Sequence, residues 1–173
     1  MRPQLSLSSS RRYIIGMIHL GAILEVKDAP SLAAVEAQAV GEALKLAKAG
    51  FNAVIIENLG DTPYYPDRVP AHTVAGMTRI AIAIKNAFQQ FEGKTPDLGI
   101  NVLRNDAESA LAIAAAVDAS FVRVNVHNGI MLTDQGMIQG KSHITCRYRD
   151  QYHPTCSIFA DFRVKHAFSL AQR

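Results

Sequence analysis

Five short stretches of this chain are apolar enough to be buried strands, and amphipathic helical patterns fill the intervals between them. The first is Tyr13-Ile14-Ile15-Gly16-Met17-Ile18-His19-Leu20, with Ile14 and Ile18 on one face and Ile15, Met17 and His19 on the other. The second runs from Asn52 to Leu59 and is apolar until it ends in Glu57-Asn58. The third covers Leu98 to Arg104, the fourth Phe121 to His127, and the fifth Ser157 to His166. Ser31 is placed to cap a helix ending at Gly50, along which Leu32, Val35, Ala39, Ala43 and Leu46 form a stripe. A second helix follows Pro70, with Met77, Ile80, Ile84, Phe88 and Phe91 in line. Asn105 followed by Glu108 reads as the capping box of a short, alanine-rich helix to Val117. A fourth helix is expected from about Ser142 to Tyr152, its basic Arg147-Tyr148-Arg149 segment in solvent. Short strands alternating with helices are the pattern of βα units and a parallel sheet.

The fourth strand selects among the parallel architectures. Val122, Val124 and Val126 share one face of it; Arg123, Asn125 and His127 share the other. A doubly wound sheet would bury that polar face under helices, at a large desolvation cost. A barrel strand packs its outer face on helices and turns its inner face toward a ligand site at the C-terminal mouth. The expected fold is therefore α/β, a TIM-type (β/α) barrel, with the doubly wound sheet as the second choice. Only five strands and four helices are legible, against eight of each in a closed barrel of about 250 residues. Two explanations fit that shortfall: a C-terminally truncated copy of a longer protein, or two half-barrels that associate as a homo-oligomer.

Polar residues converge on the inner side of the expected barrel. His19 and Glu57-Asn58 stand at strand ends, Asn101 faces inward, and Asp161, Arg163 and Lys165 share one face of the fifth strand. Arg123 can hold a carboxylate or phosphate through two parallel hydrogen bonds. Lys165 suits an anion holder, or a Schiff-base nucleophile if desolvated. Glu57 or Asp161 suits a general base, and His127 an acid or base near neutral pH. The competing reading is an ion-pair network of Arg123, Asp161 and Lys165 that only stiffens the barrel. A divalent metal held by Glu57, Asp161 and a His is the lesser alternative; no local spacing of a metal site is present, so no metal is assigned, and the cofactor stays open. The proline-bounded aromatic loop from Thr62 to Pro70 either covers a ligand or packs on the rim. Residues 128–140 read as a long loop of the kind that carries function.

Composition narrows the setting. The chain has 173 residues, 49% hydrophobic and 19% charged, enough for one domain over residues 13–173. Residues 1–12 are Arg- and Ser-rich and read as a disordered start, or less readily as the beginning of an organelle import signal. The net charge of +3 is too small to argue for nucleic acid. No apolar run approaches the roughly 20 residues of a membrane span. Cys146 and Cys156, without a paired motif, point to free thiols and a cytoplasmic setting.

Several runs are distinctive together: Gly16-Met17-Ile18-His19-Leu20, Glu57-Asn58-Leu59-Gly60-Asp61-Thr62-Pro63, Gly99 through Asp106, Arg123-Val124-Asn125-Val126, Thr133-Asp134-Gln135-Gly136, Phe159-Ala160-Asp161 and Val164-Lys165-His166. In this order, over roughly residues 13–168, the chain resembles the BtpA family, to which SgcQ-like proteins belong. The resemblance implies a barrel of ribulose-phosphate-binding character and a role in photosystem I biogenesis in phototrophs. It also implies contact with photosystem or other membrane-peripheral proteins at a thylakoid. Family members in organisms without photosynthesis imply a common underlying chemistry or ligand, and the inward-facing Arg123 makes a small anionic ligand the expected partner. From the inward-facing side chains, the expected catalytic set is Glu57, His127, Asp161 and Lys165. The expected ligand-binding set is His19, Asn58, Asn101, Arg104, Arg123, Asn125 and Asp134. Where the family has a proline-rich turn after His19, this chain has Gly21-Ala22-Ile23-Leu24. The family pattern also continues past the fifth strand, which is the basis for expecting a truncated copy. Three functions follow: a ligand-binding assembly factor, a lyase, isomerase or hydrolase of a phosphorylated metabolite, or an inactive fragment.

Overall fold

The structure, a computed structural model, describes residues 12–23, 27, 29–162, 164–165 and 167–169. The expected disordered start lies almost wholly outside these residues, as do Leu24, Arg163 and His166. Twelve elements follow in order. They are β1 (Ile15–His19), α1 (Leu32–Lys48), β2 (Ala53–Glu57), α2 (Ala71–Gln89), β3 (Asp97–Asn101), α3 (Ala107–Val117), β4 (Phe121–Val124), β5 (Ile130–Thr133), β6 (Gly136–Gln139), α4 (Ser142–Tyr152), β7 (Ser157–Ala160) and β8 (Phe168–Ser169).

Five strands form one parallel sheet in the order β1-β2-β3-β4-β7. Sequence order and spatial order coincide, which is how a singly wound (β/α) wall is built. The four helices neighbour one another in the same succession, α1 with α2, α2 with α3, and α3 with α4. The two faces of the sheet differ in what they pack against. Ile18, Val54, Ile56, Ile100 and Val122 are buried in one cluster with Val35, Ala39, Met77, Ile80, Ile84, Leu111 and Ile113 of the helices. The opposite face holds a small separate cluster of Ala53, Ile55 and Phe121, without a helix residue among the described residues. This is an α/β fold with a parallel five-stranded sheet and four helices, consistent with part of a TIM-like barrel. The one-sided helical layer is not that of a doubly wound sheet.

Local chemistry accounts for the helices. Ser31 accepts from the Ala34 amide at 3.2 Å and starts α1, whose Val35, Ala39, Ala43 and Ala47 are buried. Lys45 and Lys48 lie in its last turn, where cations suit the helix dipole. In α2 the stripe Met77, Ile80, Ile84 and Phe88 is buried as its spacing requires. Gly99 is needed for packing: a β-carbon there would lie 2.3 Å from the ring of Phe121, its register partner. That ring stacks on Phe159 at 4.8 Å between centroids.

Three expectations are corrected. Asn105 does not cap α3; Asp106 does, accepting from Ser109 N at 2.9 Å and Ser109 Oγ at 2.6 Å. Asn105 instead bonds both the N–H and the C=O of Val126, at 2.8 and 3.0 Å, and so ties the β3–α3 loop to the end of β4. The long loop at 128–140 is an antiparallel hairpin, β5 with β6, turning at Asp134-Gln135. Its strands are four residues each and largely half-exposed, so the period-2 signal was weak. The fifth parallel strand stops at Ala160 rather than His166; the chain then turns, and Phe168-Ser169 adds to the hairpin as β8.

Candidate functional site

Parallel register places polar side chains in a row at the C-terminal end of the sheet. His19 pairs with Glu57, Glu57 with Asn101, and Asn101 with Arg123 along four adjacent strands. Because every second residue faces the same way, these four point to the face that no helix covers among the described residues. Asn125 and Asp161 extend the row just past β4 and β7, where the Asp161 amide bonds the Val124 carbonyl at 3.0 Å. Below the row lie the apolar Ile15, Ile55, Phe121 and Phe159.

Hydrogen bonds join the row into one network. Arg123 donates from Nε and Nη2 to the two oxygens of Asp161, both at 2.9 Å. Its Nη1 reaches Glu57 Oε2 at 3.4 Å. Asn101 Nδ2 donates to Glu57 Oε2 at 2.8 Å and to Asn125 Oδ1 at 3.4 Å. Asn125 Nδ2 donates to Asp161 Oδ2 at 3.0 Å. His19 Nε2 stands 3.7 Å from Glu57 Oε1. Glu57, Asn101 and Asn125 are buried, whereas His19 is exposed. The forked hydrogen bond to Asp161 raises the Arg123 pKa further above its ordinary range, outweighing the opposing effect of burial.

Two carboxylates therefore face one guanidinium, and all three nitrogens of that guanidinium are engaged. The Arg123–Asp161 pair matches the stiffening network considered from sequence, with Glu57 in the place given to Lys165. Lys165 is exposed and lies in a turn, away from the desolvated setting that a Schiff-base lysine requires. Asn58 sits beside the row, and its side chain ties loops together. Its Oδ1 accepts from Leu103 N at 2.7 Å, and its Nδ2 donates to Asp61 Oδ2 at 3.1 Å. His127 is half-buried past the end of β4, where desolvation lowers its pKa and favours the neutral ring. Arg104 follows β3, half-buried, and Asp134 is exposed at the hairpin turn.

The BtpA family's sequence model matches residues 10–173. The chain belongs to the BtpA family. It is 43% identical to the photosystem I biogenesis protein BtpA of Synechocystis, over 91% of this chain and 53% of that protein. An uncharacterised protein of Thermococcus kodakarensis is also 43% identical, over 91% of this chain and 58% of its own length. An uncharacterised mitochondrial protein of Caenorhabditis elegans is 29% identical over 93% and 58% respectively. The chain thus spans just over half the length of these relatives. No solved structure matches it significantly. None of the described helices is long and apolar enough to cross a membrane.

Tertiary structure adds residues to the site that were not singled out from sequence. Tyr64, from the aromatic loop, donates its hydroxyl to the Leu59 carbonyl at 2.9 Å. Burial raises its pKa, and the charges of Glu57, Arg104, Asp134 and Asp61 all act on it. The Arg104 amide bonds the Tyr65 carbonyl at 3.1 Å, so the aromatic loop lies beside the segment that follows β3. Asp61 accepts from the Ile23 amide at 2.6 Å and fixes the β1–α1 loop against the β2–α2 loop. Gly60 allows that contact, since a β-carbon there would lie 2.3 Å from the Ala22 nitrogen. The sequence cue was a carboxylate and glycine directly after a buried strand, but its partner was 38 residues away.

Proposed function

We propose that this chain forms the first five strands of a TIM-type (β/α) barrel and binds a small phosphorylated or carboxylated metabolite at its C-terminal mouth. One observation carries this reading: the row from His19 through Glu57, Asn101 and Arg123, continued by Asn125 and Asp161, on the uncovered face of the sheet. A hydrogen-bonded polar row at the C-terminal end of parallel strands is where such folds bind ligands. Glu57 and Asp161 supply the carboxylates of the row, and His127, its Nδ1 open and its ring kept neutral by burial, supplies a proton donor or acceptor. Lyase, isomerase and hydrolase chemistry all fit such a set.

A thermal-shift screen of sugar phosphates and hydroxy acids on this chain tests the binding. A ligand that raises the melting temperature of the unaltered protein, but not of Glu57→Gln, supports the reading. No stabilisation by any member of either class overturns it.

The printed name of the Synechocystis relative favours a second reading, in which the protein supports photosystem I biogenesis through protein contacts. The equivalents of Arg123→Ala and Glu57→Gln, placed in that relative, separate the two. Loss of photosystem I accumulation ties the biological effect to the site. Normal accumulation assigns it to another surface.

A further inference from the structure

Four side-chain atoms are buried without a hydrogen-bond partner among the described residues: Asn101 Oδ1, Arg104 Nη2, His127 Nδ1 and Gln135 Oε1. Three of them lie at or just past the ends of β3 and β4, and Gln135 lies in the β5–β6 turn. Native interiors rarely leave such atoms alone; water, an ion or a ligand normally meets them. Their chemistry is specific. Asn101 is fully buried, and its Nδ2 already donates to Glu57 and Asn125. Its carbonyl oxygen is left wanting a donor. Arg104 has no carboxylate partner among the described residues, so its Nη2 is a cationic donor wanting an acceptor.

Arg123 is less suited to that role. Three of its five N–H groups already donate to Asp161 and Glu57, and an oxyanion at the remaining two would stand beside both carboxylates. Taken with Glu57 and Asp161, the Arg123 cluster carries one excess negative charge. It repels an anion and suits hydroxyl groups, which donate to carboxylates. Arg104 is the cation left open nearby. The Arg104 amide bonds the Tyr65 carbonyl at 3.1 Å, and the adjacent Tyr64 donates its hydroxyl to the carbonyl of Leu59, two residues after Glu57, at 2.9 Å.

We propose that Arg104, not Arg123, receives the anionic group of the ligand, while Asn101 Oδ1 accepts a hydrogen bond from a hydroxyl of the same molecule. This rests on the ligand-binding reading above and narrows it: the ligand is a small hydroxylated oxyanion, a sugar phosphate or a hydroxy acid. Arg123 is a positioning residue that aims Asp161 and Glu57. The open atoms have almost no contact with solvent, so a ligand reaches them only when a neighbouring loop moves, and the Arg104 amide ties the aromatic loop to this place through the Tyr65 carbonyl.

Isothermal titration of the 173-residue chain with ribose, ribose 5-phosphate, ribonate and ethyl phosphate tests both halves. Ribose 5-phosphate and ribonate should each bind at least about tenfold more tightly than ribose, the scale of one charge-assisted hydrogen-bonded pair. Arg104→Gln should bring both within about threefold of ribose, and Arg123→Lys should leave the difference standing. Ethyl phosphate, an anion without hydroxyls, should bind about tenfold more weakly than ribose 5-phosphate. An anion preference that survives Arg104→Gln overturns the role of Arg104. Equal binding of ethyl phosphate and ribose 5-phosphate overturns that of Asn101. Failure of every probe to bind the unaltered chain overturns the ligand-binding reading itself, a different result from either. If Arg104→Gln lacks the native circular dichroism spectrum, Arg104→Met, which also removes the charge while keeping most of the side-chain length, is read the same way.

Discussion

Replacing Arg123 by Met keeps most of the side-chain volume and removes the guanidinium at the centre of the polar row. Glu57 and Asp161 then face one another without a counter-charge, with side chains 7% and 18% exposed. Breaking a fully buried ion pair by removing one partner costs about 3–5 kcal/mol, whereas exposed pairs are worth about 1 kcal/mol or less. The Arg123 side chain is 34% exposed, which places it between these limits. The expected loss for Arg123→Met is about 2–3 kcal/mol. In a domain of this size that lowers the melting temperature by roughly 5–10 °C. A double-mutant cycle with Asp161→Asn isolates the pair. Two hydrogen bonds between charged groups predict a coupling of about 2 kcal/mol, after allowance for partial solvation. The measurement is urea unfolding at pH 7, followed by circular dichroism, with the denaturant slope unchanged between variants. A coupling below about 0.5 kcal/mol would refute the reasoning, because only a water-separated pair behaves that way.

Three other outcomes are expected. Gly99→Ala should destabilise by about 1–3 kcal/mol in the same unfolding assay, because its β-carbon meets the Phe121 ring at 2.3 Å, and Phe121→Leu should recover part of the loss. Burial lowers the folded pKa of His127 below its ordinary 6.5, so the unfolded chain binds the proton first and stability falls as pH drops below about 6.5. His127→Gln should therefore lose less stability between pH 7.5 and 5.5; an identical loss would show that His127 does not titrate as described. Burial pushes the Cys156 thiol up to about 12, while Cys146 is only half-buried. Iodoacetamide at pH 8 should alkylate Cys146 alone until urea is added, as read by peptide mass spectrometry.

Strand existence and helix stripes were legible because burial imposes periodicity directly on the residues. Val122 and Val124 lie against the helices while Arg123 turns the other way, as the alternation in sequence requires. The start of α4 at Ser142 and its end at Tyr152 were equally readable. The hairpin was not, since Ile130–Thr133 and Gly136–Gln139 bury only Ile138 and carry little alternation. Nor was the cap of α3: Asn105 and Asp106 are both good capping residues, and only the proximity of Val126 decides which one faces the helix.

The candidate site divides along the same line. Alternation along each strand determined that His19, Glu57, Asn101 and Arg123 face one side, and parallel register then aligned them. What each side chain bonds to was decided between strands, by distances that local pattern does not encode. Asp161 stands 38 residues from Arg123 and Glu57 stands 66 from it, yet together they engage all three nitrogens of its guanidinium, while Arg104 Nη2 is buried without a partner. A sequence specifies which face a side chain presents because that depends on its immediate neighbours. Only the folded sheet specifies its partners, because hydrogen bonds act over about 3 Å of space irrespective of separation along the chain.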